Sequence, residues 1–326
     1  MMSSDPIPVR TDGSRLRSVP PRPKYLRKLI RDVRREPYLY LLALPGILFF
    51  VIFKYVPMWG VVIAFQNYSP LAGVTGSPWV GLEHFRTFFE TPEFWLLFRN
   101  TMAINLLNLA LFFPLPILIA LLLNELHHVV YKRIIQSVLY LPHFLSWVII
   151  TGLTFTLLAK GEGLLNHMLE AAGLERKDFL TNPDGFWLLV TLQSMWKEAG
   201  WGTIVFLAAI AGVDPQIYEA CRMDGASRLR QMWHVTLPAL RGVVIILLIL
   251  RLGDIMDVGF EQIFLMYNGA VSDVAEVFDT YVYRIGIGRG QFGYSTAIGL
   301  FKSVVGLVLV LASNKLAKKL GQDGVF

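Results

Sequence analysis

The chain is 326 residues long, 54% apolar and only 17% charged, with a formal net charge of +6 and one cysteine. A soluble domain carries nearer a quarter charged residues, and a soluble enzyme needs no repeated apolar stretches of about 20 residues, the length that crosses about 30 Å of hydrocarbon. The composition therefore excludes an ordinary soluble enzyme and points to an all-α membrane protein.

Residues 1–37 hold ten of the lysines and arginines. The basic excess is gathered there rather than spread as a stripe interleaved with aromatics, which argues against nucleic acid as a partner. The first dozen residues have the polar composition of a disordered segment. Leu26, Leu29, Ile30 and Val33 then recur at helical spacing among Arg27, Lys28, Arg31, Arg34 and Arg35, the pattern of a helix lying on membrane lipid.

Six apolar runs follow, at Tyr38 to Trp59, Phe98 to Leu123, Ile134 to Leu158, Phe186 to Ala211, Gly242 to Met266 and Phe292 to Ala312. The first is followed by Lys54, Tyr55, Pro57 and Trp59 with no A-x-A site, so it is expected to remain as a span rather than be cleaved. Runs such as Ile245-Ile246-Leu247-Leu248-Ile249-Leu250 do not alternate, so each span is read as a helix and not as a barrel strand. The expected division is a basic cytoplasmic segment with an interfacial helix (1–37), a six-helix transmembrane domain (38–312) and a cytoplasmic tail (313–326).

Two further Lys/Arg lie in 124–133, four in 213–241 and three after residue 312, while the other connections hold six. Positive residues concentrate on the cytoplasmic side of membranes, which puts both termini and the second and fourth connections there.

The fourth connection, 213–240, has the most definite local design. Asp214 can cap a helix with Pro215 at its first position, and Gly225 can end it at low steric cost, leaving a short helix across the membrane face. Pro238 then resets the chain direction before the fifth span. Within this connection Glu219-Ala220-x-x-x-Asp224-Gly225-Ala226, with Leu237-Pro238 downstream, resembles the EAA loop of ABC importer permeases. The resemblance implies the type I permease fold. It makes Glu219 the contact to a cytoplasmic ATPase, Ala220 and Gly225 the positions of close approach, Asp224 and Ala226 parts of the same motif, and Leu237-Pro238 the re-entry. Cys221 stands where a second alanine is usual; it is small, and coupling is expected to survive.

Tyr55-Val56-Pro57-Met58-Trp59-Gly60, Tyr140-Leu141-Pro142-His143-Phe144, Trp201-Gly202-Thr203, Asp279-Thr280-Tyr281-Val282-Tyr283-Arg284 and Gly299-Leu300-Phe301-Lys302-Ser303 extend the likeness to the branch serving complex oligosaccharides, such as aldouronate and alginate. The implied partners are a homologous second permease, two copies of an ATPase and an extracytoplasmic solute-binding protein, in a bacterial cytoplasmic (inner) membrane that this chain crosses several times. No G-x-x-x-x-G-K-[ST] occurs, so the chain is expected to hold no cofactor, ATP and Mg being bound by the partner ATPase. Gly288-Arg289-Gly290-Gln291-Phe292-Gly293 matches G-x-G-x-x-G, but it precedes a span and follows no strand-and-turn unit, so it is read as chance. The single thiol excludes an internal disulfide, and without H-E-x-x-H no metal site is expected.

Ionisable groups inside spans are costly and therefore informative. Counted from the span ends at about 1.5 Å per residue, Lys197 lies roughly 16 Å deep, Arg251 roughly 14 Å and Lys302 roughly 15 Å. Three cations thus share one level. Arg251 and Asp254 are spaced to pair, Glu198 can neutralise Lys197, and Asp254, Asp257 and Glu261 are expected as a polar helical stripe. The cationic level favours an acidic sugar chain, with Trp196 and Trp201 as stacking surfaces and Asn105, Asn108 and Gln193 as hydroxyl partners. The competing readings are a membrane-embedded glycan- or lipid-processing enzyme, for which Asp254 and Asp257 are the only carboxylate candidates, and an autonomous secondary sugar transporter.

Overall fold

The computed structural model describes residues 32–321, 324 and 325. The expected interfacial helix lies largely outside the described residues; of its stretch, residues 32–35 are helical. Among the described residues the regular structure is helical, with one isolated antiparallel bridge between Gln66 and Trp79. The chain separates into two compact units, Met1–Trp59 and Gly60–Phe326.

The first unit carries most of helix α1, Pro37–Phe65. Within this unit its side chains are apolar on every face apart from Lys54 and largely exposed, Leu42 at 83% and Phe53 at 63%, as suits a helix surrounded by hydrocarbon.

In the second unit the principal helices are α2 (Glu83–Glu90), α3 (Pro92–Asn124), α4 (Val129–Phe144), α5 (Trp147–Leu158), α6 (Leu164–Ala171), α7 (Pro183–Ala211), α8 (Pro215–Met223), α9 (Arg228–Ala239), α10 (Arg241–Gly253), α11 (Phe260–Met266), α12 (Phe278–Tyr283) and α13 (Phe292–Lys319). Helix α3 is the spine. Its Phe94 and Leu97 enter one buried cluster with Phe88, Phe278 and Ile298; its Ile104 enters a second with Phe186, Val190 and Ile263; its Ala120 and Leu121 enter a third with Phe206, Ile210 and Leu240.

Prolines set three of the irregularities. The wide helical turns Val51–Tyr55, Asn108–Phe112 and Met232–Thr236 precede Pro57, Pro114 and Pro238. In each, the residue four before the proline (Phe53, Ala110, His234) is the centre of the widened turn. A proline ring clashes with that carbonyl and donates nothing to it, and an extra residue in the turn moves the carbonyl aside.

Two expected spans are not continuous helices. The third, Ile134 to Leu158, breaks between α4 and α5 with a bend of 102°. Pro142 sits in the tight turn Leu141–Phe144 that ends α4, and Ser146 Oγ starts α5 afresh by accepting from the Ile149 amide at 3.4 Å. The fifth, Gly242 to Met266, ends as a helix at Gly253 and resumes at Phe260. Asp254 and Asp257 lie in the unwound stretch and Glu261 beyond it, so the polar helical stripe does not form. Periodicity is blind here because the break is stabilised from elsewhere. Asn105 donates to the Ile255 carbonyl at 2.9 Å, and the Val258 amide donates to Asp279 at 3.4 Å. Non-helical backbone at membrane depth survives only where protein supplies its hydrogen bonds or it lines a cavity.

Among the described residues, α1, α3 and α13 are each long and apolar enough by length and composition to cross a membrane, and the bent pairs α4–α5, α7–α8 and α9–α10 raise the candidates to six. Helices α10 and α13 cross where Gly306 faces the Gly253 carbonyl so closely that no Cβ would fit.

Candidate functional site

The connection after α7 folds from local signals. Asp214 accepts from the Gln216 amide at 2.9 Å and Pro215 occupies the first turn, so α8 starts cleanly and leaves α7 at 71°. At its far end Gly225 takes φ +73°, the left-handed region. Its amide donates to the Arg222 carbonyl at 3.0 Å, and the Ala226 amide donates to the Cys221 carbonyl at 2.9 Å. That paired closure uses the last orphan carbonyls of the helix and turns the chain back. Ser227 then caps α9, and the chain turns by 54° between α9 and α10, just after Pro238.

Glu219, Ala220, Asp224 and Gly225 are exposed, Ala226 and Leu237 are half-buried, and Pro238 is exposed. Around them Met223 is 88% exposed, and Leu229 and Trp233 are open to the surroundings at 62% and 60%. The element is held from behind: Tyr218 Oη lies 3.0 Å from Thr236 Oγ1, and Gln231 Nε2 donates to the Ala226 carbonyl at 2.8 Å. A cavity of about 740 Å³ separates α8 from the end of α3, lined by Glu219, Arg222 and Arg228 on one side and Asn124, Glu125 and His127 on the other. A short helix capped at both ends and standing off the bundle, with Glu219, Arg222 and Met223 exposed, can transmit force to a partner.

The intramembrane charges are largely compensated within the chain. Lys197, 6% exposed, donates to the His143 carbonyl at 2.7 Å and lies 3.3 Å from Glu198 and 5.5 Å from the centre of the Trp147 ring. Glu198 in turn accepts from His143 Nδ1 at 2.7 Å, and the imidazole stacks on Trp201 with centroids 4.4 Å apart. Gly200 makes this possible, because a Cβ there would strike the Leu139 carbonyl at the end of α4. The cluster therefore locks the α4–α5 break against α7.

Lys302 on α13 is bonded to two carboxylates, Asp257 at 2.6 Å and Asp279. Asp257 is thereby ion-paired rather than poised beside Asp254 as a catalytic carboxylate pair. Asp254, Asp257 and Lys302 line a polar groove of about 370 Å³. Arg251 is half-buried and forms no ion pair with Asp254 among the described residues. The spacing anticipated a pair, but Asp254 lies past the last residue of α10, at its C-cap, where the helical i, i+3 geometry no longer holds.

Of the expected hydroxyl partners, Asn105, Asn108 and Gln193 are buried between helices. Gln193 donates to Thr154 Oγ1 at 2.7 Å and accepts from Gln262 at 3.0 Å, and Gln262 also donates to the Val190 carbonyl at 2.7 Å. Asn105 Oδ1 and Asn108 Oδ1 have no partner within the described residues. Trp196 and Trp201 remain about half exposed. Sequence reasoning missed the parts of His143, Asp279, Thr154 and Gln262. Each is a commonplace polar residue in its own segment and gains meaning only from a residue far along the chain. A buried Asn100, donating to the Asp273 and Glu276 carbonyls at 2.9 Å each, belongs to the same class.

Comparison with known proteins bears on these features. The family model described as "Binding-protein-dependent transport system inner membrane component" matches residues 112–322. The chain is 53% identical over 300 residues to the polygalacturonan/rhamnogalacturonan transport system permease protein YteP of Bacillus subtilis (strain 168), covering 92% of this chain and 94% of that one. It is 51% identical over 294 residues to protein LplB of the same organism, covering 90% and 92%. Among solved structures it resembles a chain of a bacterial alginate ABC transporter in complex with an alginate pentasaccharide-bound periplasmic protein. The TM-score is 0.83 and the identity 39%, with 91% of this chain and 100% of that one covered.

Proposed function

The chain belongs to the family of inner membrane components of binding-protein-dependent transport systems, and as such is a permease subunit of an ABC importer; from that premise we propose that it helps form the translocation pathway for acidic oligosaccharides. It would cross a bacterial cytoplasmic membrane six times with both termini inside, beside a homologous second permease, two ATPase subunits that bind ATP and Mg, and an extracytoplasmic binding protein. The concentration of Lys and Arg in the termini and in 124–133 and 213–241 supports that orientation.

The observation that carries the reading is α8. Capped at both ends, it stands at 71° to α7 with Glu219, Ala220, Asp224 and Gly225 exposed. Small residues permit close seating in a cleft of the ATPase, Glu219 makes the polar contact there, and Leu237-Pro238 return the chain to the bundle. Closure of the ATPase dimer would move α8, and the Tyr218–Thr236 and Gln231–Ala226 contacts would carry the motion to α9 and α10.

The relatives support an acidic substrate more strongly than the cations of this chain do. Polygalacturonan and alginate are both uronate polymers, whereas Lys197 and Lys302 already hold carboxylates of their own. Arg251, Trp196, Trp201 and the Asp254–Asp257–Lys302 groove are the groups offered for the pathway, with Asn105, Asn108 and Gln193 reached only when the helices part. The test is sugar-stimulated ATP hydrolysis by the complete importer. Glu219→Lys should abolish stimulation while leaving assembly intact; unchanged stimulation would remove Glu219 from the coupling contact.

A further inference from the structure

The run Gly288-Arg289-Gly290-Gln291-Phe292-Gly293, which as a nucleotide motif means nothing here, forms one wall of a cavity of about 450 Å³ within the Gly60–Phe326 unit. Two glycines build that wall. Gly290 takes φ +70° and turns the chain into α13, and Gly293 abuts the segment after α1, where a Cβ would strike the Gln66 carbonyl. Beside Gly293 sits His84, whose Nε2 lies 2.9 Å from that same Gln66 carbonyl. A carbonyl only accepts, so Nε2 carries a proton and donates it. Tyr68 meets Phe292 edge to face at 6.2 Å, making an aromatic corner.

Asn67, Gln291 and Arg289 also line the cavity, together with Thr87, Tyr281, Ile285 and Tyr294, and the lining contains no aspartate or glutamate. Arg289 is exposed and forms no ion pair among the described residues. The cavity thus combines one uncompensated guanidinium, neutral groups that both donate and accept, and an aromatic corner. Its volume lies in the range of small-molecule sites, about 300–1,000 Å³.

We propose that this cavity binds a uronate residue of an acidic oligosaccharide, as a subsite apart from the translocation pathway. Arg289 takes the carboxylate, a pairing for which the planar guanidinium is suited. Asn67, His84 and Gln291 take ring hydroxyls, and the apolar face of the pyranose packs in the Tyr68–Phe292 corner. The choice of a uronate rests on the substrate reading above. A lone acidic side chain from a docking protein would use the guanidinium but leave the aromatic corner and the amide groups unfilled, so the sugar is the better match. On the proposed orientation the cavity opens on the outer side, at the start of α13.

The test is a ligand-observed NMR titration of the full-length chain with its partner subunits in lipid nanodiscs, without the binding protein, using digalacturonate and, separately, maltose. Digalacturonate should bind saturably. Arg289→Gln should weaken it about tenfold, the scale of one charge-assisted hydrogen bond, and leave maltose unchanged. Tyr68→Ala should weaken both sugars. Absence of saturable digalacturonate binding, or equal affinity in Arg289→Gln, overturns the proposal. So does an Arg289 effect that appears only when the binding protein is added, which would make the cavity a protein-docking contact. Uptake of acidic oligosaccharide by cells carrying the wild-type importer is measured in parallel. Uptake without Arg289-dependent binding sinks the subsite and spares the substrate reading; Arg289-dependent binding without uptake does the reverse.

Discussion

Lys302 Nζ lies 2.6 Å from Asp257 Oδ1, so α13 is tied to the one stretch of the fifth span that is not helical. The same ammonium also holds Asp279 on α12, and the side chain is only 11% exposed. One largely buried cation therefore bridges three segments that also pack together through Met256, Phe278 and Ile298.

Replacing that cation leaves Asp279 buried with no counter-charge. Lys302→Met is expected to destabilise the folded chain by about 3 kcal/mol, the usual scale for breaking a buried pair. Asp257→Asn should cost under about 1 kcal/mol, because that carboxylate is 63% exposed. In thermal unfolding in detergent the order should be wild type, Asp257→Asn, then Lys302→Met. Adding Asp279→Asn to Lys302→Met should recover much of the loss, and its failure to do so would show that the cost is packing rather than charge.

Gly200 should accept no larger residue. A Cβ would overlap the Leu139 carbonyl, which is backbone and cannot swing away, so Gly200→Ala should cost about 2 kcal/mol and loosen α4 from α7. Gly185→Ala, with nothing within 4 Å of its would-be Cβ, should be neutral or stabilising by about 0.5 kcal/mol. Equal melting temperatures for the two variants would refute the close approach.

The closure of α8 depends on the left-handed Gly225. Gly225→Ala strains the backbone by about 1 kcal/mol, whereas asparagine tolerates that conformation better. The expected readout is sugar-stimulated ATP hydrolysis, reduced several-fold in Gly225→Ala and partly restored in Gly225→Asn, with overall stability hardly changed because the site is exposed.

Lys197 and Glu198 should behave as a coupled pair. Glu198→Gln leaves a buried ammonium with a carbonyl as its remaining close partner, and Lys197→Met frees Glu198 to keep its bond to His143. A double-mutant cycle should give about 1–2 kcal/mol of coupling. Transport separates structure from selection: Lys197→Met that lowers uptake of acidic and neutral sugars alike, with normal assembly, rejects a charge-selecting role for this residue.

The membrane class, the places of the apolar runs and the form of α8 were legible in local patterns of residues. Apolar length, charge asymmetry, an N-cap Asp followed by Pro, and a terminal Gly are all signals carried within about 20 neighbouring residues. The breaks in the third and fifth spans emerged from contacts between distant parts of the folded chain. The Lys197–Glu198 pairing was open to the sequence, but the folded structure alone showed that Lys302 is held by Asp257 and Asp279 and that Asn105 supports an unwound backbone. The reason is physical. A helix break at membrane depth is tolerable only when a distant donor satisfies it, and a buried charge is silent when a distant carboxylate meets it. Asn105 and Ile255, or Lys302 and Asp279, are each ordinary in their own segments. Their meaning lies in distances that no local pattern encodes.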